Sequence, residues 1–474
     1  MAQPPLAVPK DGDKTASSGG GWLLPFVVAL FFAWGFATVM IDALAPKLKG
    51  LFALNYAEAM LTQFAFFIAY FVMSIPAAVL LSRVGYLWGI IIGLVVMAAG
   101  CLLFSPVAAA GVYWGFLAAL FIMASGITLL QVAANPLIAI IGREGRSHFR
   151  LNMAQALNSL GTFIGPFVGA AIILKSGVTP PDPARTPPDV LAAYRLTEAH
   201  AVQAPFLGIA AGLILLAVIF WLLRKAPNVP APARNETGLA SFRLLTRPRL
   251  ALGVLCIFLY VGAEVAIGSL MTNYLLEPKN HAVAVAAGTA IHDALRDFTV
   301  ASGLGRLIPA LVGDNSALSA AAAAGTLVAF YWGGAMVGRL VGSALLYLKV
   351  PAARLLTACA VGAIGLVVLS SATAGALSVW TIIAVGLTNS IMFPTIFTLG
   401  IEGMGAKTPQ ASGLLCMAIV GGAIVPLITG ATADVTGLSL ALLAPAACYL
   451  VIAAYGLFAH SNKVVEDVPV VVTP

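Results

Sequence analysis

The sequence predicts an all-α membrane protein, with twelve transmembrane helices in two six-helix, pseudo-symmetric halves. Hydrophobic residues make up 61% of the 474 positions and charged residues 9%, with a mean hydropathy of +1.00, whereas soluble domains carry roughly 25% charged residues. Apolar runs of about 20 residues, the length that crosses a bilayer as a helix, recur twelve times between charged or Pro/Gly-rich breaks. Motifs of the first six runs also return in the last six.

Taken in order, residues 1–21 are polar and rich in Pro, Gly and Ser, without the basic, apolar and cleavage regions of a signal peptide. They are expected to form a disordered tail. The first half, 22–223, holds segments at approximately 22–46, 58–82, 87–108, 111–141, 149–174 and 200–223. A Pro-rich break at 175–199 separates the last two. A basic linker, 224–248, carries Arg224, Lys225, Arg234, Arg243 and Arg247. The second half, 249–460, holds segments at approximately 249–277, 325–348, 353–373, 376–403, 408–430 and 438–460. Residues 278–324, Ala/Gly-rich with scattered charges, read as a long outward-facing loop, and 461–474 as a C-terminal tail.

Alternate loops belong to alternate sides of the membrane. The side with Arg83, Arg143, Arg146, Arg150, the linker, Lys349, Arg354 and Lys407 is the more basic, so by the positive-inside rule it is cytoplasmic, with both termini. The net charge of +7 and pI near 9.2 follow from inward loops facing an anionic leaflet and imply no nucleic acid. The five cysteines lie in apolar runs without CxxC spacing and read as core residues, with no metal site and no cofactor. The histidines form no HExxH, and no nucleophile stands with a base, so an enzyme is not expected.

The repeat is legible in detail. RLNMAQALNSLGTFIGPFVG from Arg150 lies over QASGLLCMAIVGGAIVPLITG from Gln410, with Gly161 on Gly421 and Pro166 on Pro426. TLLQVAANP lies over LTNSIMFP, with Gln131 on Asn389 and Pro136 on Pro394. Two such halves describe a secondary transporter with its substrate site near the midplane between them.

Away from helix ends, the ionisable residues of these segments are Asp42, Glu264 and Arg339. Each costs about 2.5–3.5 kcal/mol at a helix centre and must face protein or water. Asp42 shares a face with Trp34 and Thr38, four residues apart. With no Lys, Arg or His at mid-depth in the first half to pair with it, its carboxyl can take up and release a proton near neutral pH. Asp42 and Glu264 are therefore the candidate ion-coupling groups, Glu264 sharing its reading with a structural hydrogen bond. Thr128, Gln131 and Asn135 on the fourth segment, and Gln155, Asn158, Ser159 and Thr162 on the fifth, offer the neutral donors and acceptors a polyhydroxylated ligand requires. Trp34, Thr38, Gln131, Asn135, Gln155, Asn158, Asn273, Trp332, Asn389 and Phe393 are the candidate substrate-binding residues. Arg339 reads as snorkelling or clasping a helix end. Gly161, Gly165 and Gly169, and Gly334, Gly338 and Gly342, form ladders that let helices approach closely, with sliding contacts between halves as the expected consequence.

At these motifs the chain resembles the major facilitator superfamily, specifically its fucose:proton symporter subfamily and the glucose/galactose branch, from about Leu30 to Leu457. The resemblance rests on Asp42, LLQVAANP, RLNMAQALNSLGT, VGAEVAIGS, YWGGAMVGR, NSIMFPTIFTL and AIVGGAIVP. It implies hexose import coupled to a cation, a proton before sodium, by a monomeric carrier of a bacterial inner membrane. Asp42 matches the family's first-helix acid, and Gln155 and Asn158 match residues lining the sugar cavity. Fucose carriers have a glutamate where this chain has Gln131, which argues against fucose and fits the glucose/galactose branch. N-acetylglucosamine is the rival substrate, an uncoupled facilitator the rival mechanism, and a non-transporting sugar sensor the remoter alternative.

Overall fold

The computed structural model describes residues 23–52, 56–110, 112–141, 146–173, 187–225, 238–302 and 318–462, with side chains described over 23–39, 61–107, 112–141, 146–165, 205–225, 240–302, 318–405 and 407–462. Among them the chain is nearly all helical, with no strand. The expected tail 1–21 lies outside the described residues, as do much of the linker and all but Ser461 and Asn462 of the expected tail 461–474.

The first half comprises α1 (Leu24–Phe52), α2 (Tyr56–Val84), α3 (Tyr86–Ala110), α4 (Tyr113–Ile140), α5 (Ser147–Ile173) and α6 (Pro188–Leu222). One residue, Gly85, turns α2 into α3 at φ 86°, a conformation that glycine adopts without a Cβ clash. Helix α6 starts earlier than the sequence suggests. Pro188 sits at its first position, where a missing N–H costs nothing.

The second half comprises α7 (Pro248–Leu275), α8 (His281–Ala301), α9 (Ala320–Tyr347), α10 (Ala352–Ala372), α11 (Gly375–Asn389), α12 (Met392–Ile401), α13 (Thr408–Met417), α14 (Gly421–Thr436), α15 (Leu438–Ala441) and α16 (Leu443–Ser461). Three of its spans are discontinuous: α11–α12, α13–α14 and α15–α16. Among the described residues, ten stretches are long and apolar enough to cross a membrane, Gly375–Ile401 and Thr408–Thr436 included. With α1 and the amide-bearing α5, they make the twelve spans expected.

The expected loop over 278–324 is corrected in part: His281–Ala301 is helical. Its alanines favour helix, while its charges and histidines make it too polar to span. It packs on α9, where Gly288 meets the Ala323 backbone.

Within the first half, α3 packs on α4 and α6, α2 on α4, and α1 on α5. Within the second, α7 packs on α14, α16 and α12, and α10 on α11 and α16. Two seams join the halves: α5 against α9 and α12, and α13 against α2 and α4. Repeat-matched glycines occupy matched places. A Cβ on Gly161 would strike the α1 backbone at Phe32, and one on Gly421 the α7 backbone at Phe258. The ladder Gly334, Gly338 and Gly342 lies against Leu387, Ser390 and Ile391 of its own half, and Gly165 lies against α1. The described glycines of these ladders therefore lock helices inside a half rather than slide between halves, and Gly169 lies outside the residues whose surroundings are described. The tight glycines at the seams are Gly333 against Phe163, Gly413 against Ser74, and Gly422 against Phe67.

Candidate functional site

Two prolines shape the middle of the molecule. A proline inside a helix has no N–H for the carbonyl four residues earlier, so Pro136 frees Val132 O and Pro394 frees Ser390 O. Buried carbonyls need partners. The Ser412 hydroxyl, from the other half, donates to Val132 O at 3.0 Å. The Arg339 Nε donates to Ser390 O at 2.8 Å, at the break between α11 and α12. Buried Arg339 also crosses the seam, its Nη1 donating to Gln155 O at 3.2 Å and to Ser159 Oγ on α5. It thus clasps a helix end, as one reading of the sequence expects, and ties the halves together as well.

In the first half, Trp34 is buried with its ring 4.1 Å from that of Phe31, and Thr38 donates to Trp34 O at 2.7 Å. Gln131 Nε2 donates to the Tyr70 hydroxyl at 2.9 Å. Gln155 is buried beside the Arg339 tie. Asn158 Nδ2 donates to Phe31 O at 3.0 Å, binding α5 to α1. Asn135 is fully buried, and among the described residues neither of its side-chain polar atoms has a partner. Asp42 lies on α1 with its side chain outside the described residues. Thr128 and Thr162 spend their hydroxyl protons on backbone carbonyls of their own helices.

In the second half, a second cluster forms around Glu264. Tyr260, one turn earlier on α7 and fully buried, has its hydroxyl 2.7 Å from Glu264 Oε1 and 3.1 Å from Asn389 O. Asn389 Nδ2 donates to the Tyr331 hydroxyl at 2.8 Å, and Tyr331 donates to Glu264 O at 3.2 Å. Trp332 packs edge-on against Tyr331, ring centroids 5.0 Å apart. Phe393 is buried against Phe397 at 6.1 Å. Asn273 is exposed about two and a half turns beyond Glu264 along α7 and joins neither cluster.

Sequence reasoning alone misses Tyr70, Tyr260, Tyr331 and the seam role of Arg339. Only Tyr260 carries a readable signal, its i, i+4 spacing to Glu264. At the basic end, Glu402, just beyond α12, accepts from Arg249 of α7 and lies 2.9 Å from His148 Nε2 of α5, whose Nδ1 meets Thr398 Oγ1. Asn152 of α5 reaches Thr395 Oγ1 at 3.5 Å. Among the described residues no group of three or more His, Cys, Asp and Glu is placed to hold a metal ion.

Comparison with known proteins places the chain. The Major Facilitator Superfamily model matches residues 26–426. The chain belongs to the major facilitator superfamily. It is similar to a "Glucose/galactose transporter" of Brucella abortus biovar 1 (strain 9-941), 43% identical over 97% of this chain and 99% of that one. It is also similar to the "L-fucose-proton symporter" of Escherichia coli (strain K12), at 32% identity over 94% of this chain and 95% of that one. The crystal structure of the major facilitator transporter FucP in the outward conformation matches with a TM-score of 0.76 and 30% identity, covering 92% of this chain and 98% of that one. The chain is a multi-pass membrane transporter of sugars, and not an enzyme.

Proposed function

We propose that this carrier imports a hexose of the glucose/galactose type by proton-coupled symport through alternating access. The observation that carries the reading is the pair of polar clusters joined by Arg339, in a chain 43% identical end to end with a named glucose/galactose transporter. In this reading the first-half cluster (Trp34, Thr38, Gln131, Asn135, Gln155 and Asn158) and the second-half residues Trp332, Asn389 and Phe393 surround the sugar, with Asn273 on its outer approach. Amides and a hydroxyl serve as donors and acceptors to ring hydroxyls, and the indoles offer flat apolar faces. Asp42 and Glu264 carry the coupling ion. The basic end faces the cytoplasm, both termini lie there, and the carrier acts as a monomer in a bacterial inner membrane. The seams at the basic end are closed, which fits an outward-facing state.

Counterflow in proteoliposomes tests this with labelled glucose, galactose, fucose and N-acetylglucosamine, at two pH values with and without sodium. Exchange of glucose and galactose, with acid-stimulated and sodium-independent accumulation, is the expected result. Preference for N-acetylglucosamine would reassign the substrate, a sodium requirement would reassign the ion, and equilibration without accumulation would make the protein a facilitator.

A further inference from the structure

The second-half cluster can be counted proton by proton. Asn389 donates to Tyr331 and Tyr331 to Glu264 O, so those hydrogens are spent. Tyr260 then has one hydroxyl proton and two acceptors within reach, Glu264 Oε1 and Asn389 O. A fully buried hydroxyl cannot serve both, and an unmet buried acceptor costs about 1–3 kcal/mol. One added proton resolves the shortage. A carboxyl O–H on Glu264 donates to Tyr260 Oη, and the Tyr260 proton passes to Asn389 O.

Among the described residues, the titratable and charged groups that interact with Glu264 are Tyr260 on its own helix, Tyr331 and Arg339 on α9, and Tyr449 on α16. Arg339 is the cation among them. Its Nε donates to Ser390 O at the α11–α12 break, and its Nη1 to Gln155 O and Ser159 Oγ of the other half.

Resting on the symport reading above, we propose that Glu264 is a proton-carrying site, and that Arg339 is the positioning residue that empties it. While α5 holds the guanidinium, Glu264 keeps its proton and the hydrogen bonds around Tyr260 are complete. When the α5–α9 seam parts, Arg339 loses its acceptors on α5. Its freed N–H groups then stabilise the Glu264 carboxylate. The proton leaves toward the newly opened side, Tyr260 turns its hydroxyl to the carboxylate, and Asn389 O at the break is released. Proton release is thereby tied to the same bonds that separate the halves, and Arg339 touches the α5 turn that carries Gln155 and Asn158.

The test uses full-length protein in proteoliposomes with an internal pH dye and labelled galactose, alongside infrared difference spectra of the carboxyl carbonyl band. The wild type is expected to show a protonated-carboxyl band that Glu264→Gln removes and Tyr260→Phe shifts. Protons moved per sugar are expected to fall at least twofold in Glu264→Gln. In Arg339→Met the Glu264 band is expected to persist under the alkaline-inside conditions that empty it in wild type. A Glu264→Gln protein with the wild-type proton ratio and unchanged spectrum would overturn the proposal. So would a Tyr260→Phe protein whose band is unmoved, which decides the matter if the glutamine variant fails to fold. If wild type moves no protons with any sugar, the symport reading fails, while the band still reports whether Glu264 holds a proton.

Discussion

At Gln131 the first half gives up a titratable group, since the side chain donates to Tyr70 and keeps its hydrogen-bonding capacity at every pH. Gln131→Glu adds a second acid to the first half and is expected to split its titration with Asp42 into coupled steps. Initial uptake from pH 5 to 9 is expected to show one dominant transition in wild type and a broadened profile or displaced acid limb in the variant, with weaker hexose affinity. Superimposable curves would reduce Gln131 to packing. For Asp42, an acid with no Lys, Arg or His at mid-depth in its half of the sequence, Asp42→Asn is expected to abolish accumulation against a gradient while leaving sugar exchange measurable. Normal accumulation would remove Asp42 from coupling. The amides were legible because a Gln or Asn inside an apolar run has no ordinary reason to be there. Tyr70 and Tyr331 were not, because a tyrosine in such a run reads as packing until its hydroxyl's partner is known. Arg339 was legible only as a helix-end clasp, since its α5 acceptors, a backbone carbonyl and a serine, carry no charge that a sequence search would pair with it.

At the scale of elements, the repeat in the sequence anticipates which glycines carry the crossings. Gly161 and Gly421 were aligned by pattern, and each lies under the backbone of its half's first helix. Gly421→Ala would force α14 from α7, and overpacking of this kind costs about 1–3 kcal/mol or more. The expected outcome is a lower unfolding midpoint in detergent, whereas Gly430→Ala, with open space around it, is expected to leave the midpoint unchanged or raise it slightly. Equal midpoints for the two variants would contradict the crossing. The broken spans and α8 were less legible. A run of apolar residues looks continuous whether or not its helix breaks, and the charges and glycines scattered through the 278–324 stretch mask the i, i+4 repeat of Val283, Ala287 and Ile291 that packs α8.

For the whole molecule, the two seams define one state of a two-state carrier. Glu402 gathers Arg249 and His148 at the basic end, joining α12 of one half to α5 of the other. A half-exposed pair of this kind is worth about 1 kcal/mol, so Glu402→Gln is expected to shift the balance of closed and open forms roughly fivefold toward opening at that end. Reactivity of a cysteine introduced at Thr395, beneath the cluster, reads the shift through its rate of thiol modification. An unchanged rate would mean that Glu402 does not hold the seam. The seams also meet the two proline-freed carbonyls, and the consequence is kinetic. Val132 O and Ser390 O have no helical N–H of their own to win back, so parting Ser412 from Val132 O across the seam, while Arg339 keeps Ser390 O within its own half, unwinds no turn of helix. Each crossing between states therefore breaks single side-chain bonds, a small barrier compared with melting helix. Restoring the N–H with Pro394→Ala would give the oxygen a permanent owner, making a stiffer α11–α12 span and a slower carrier.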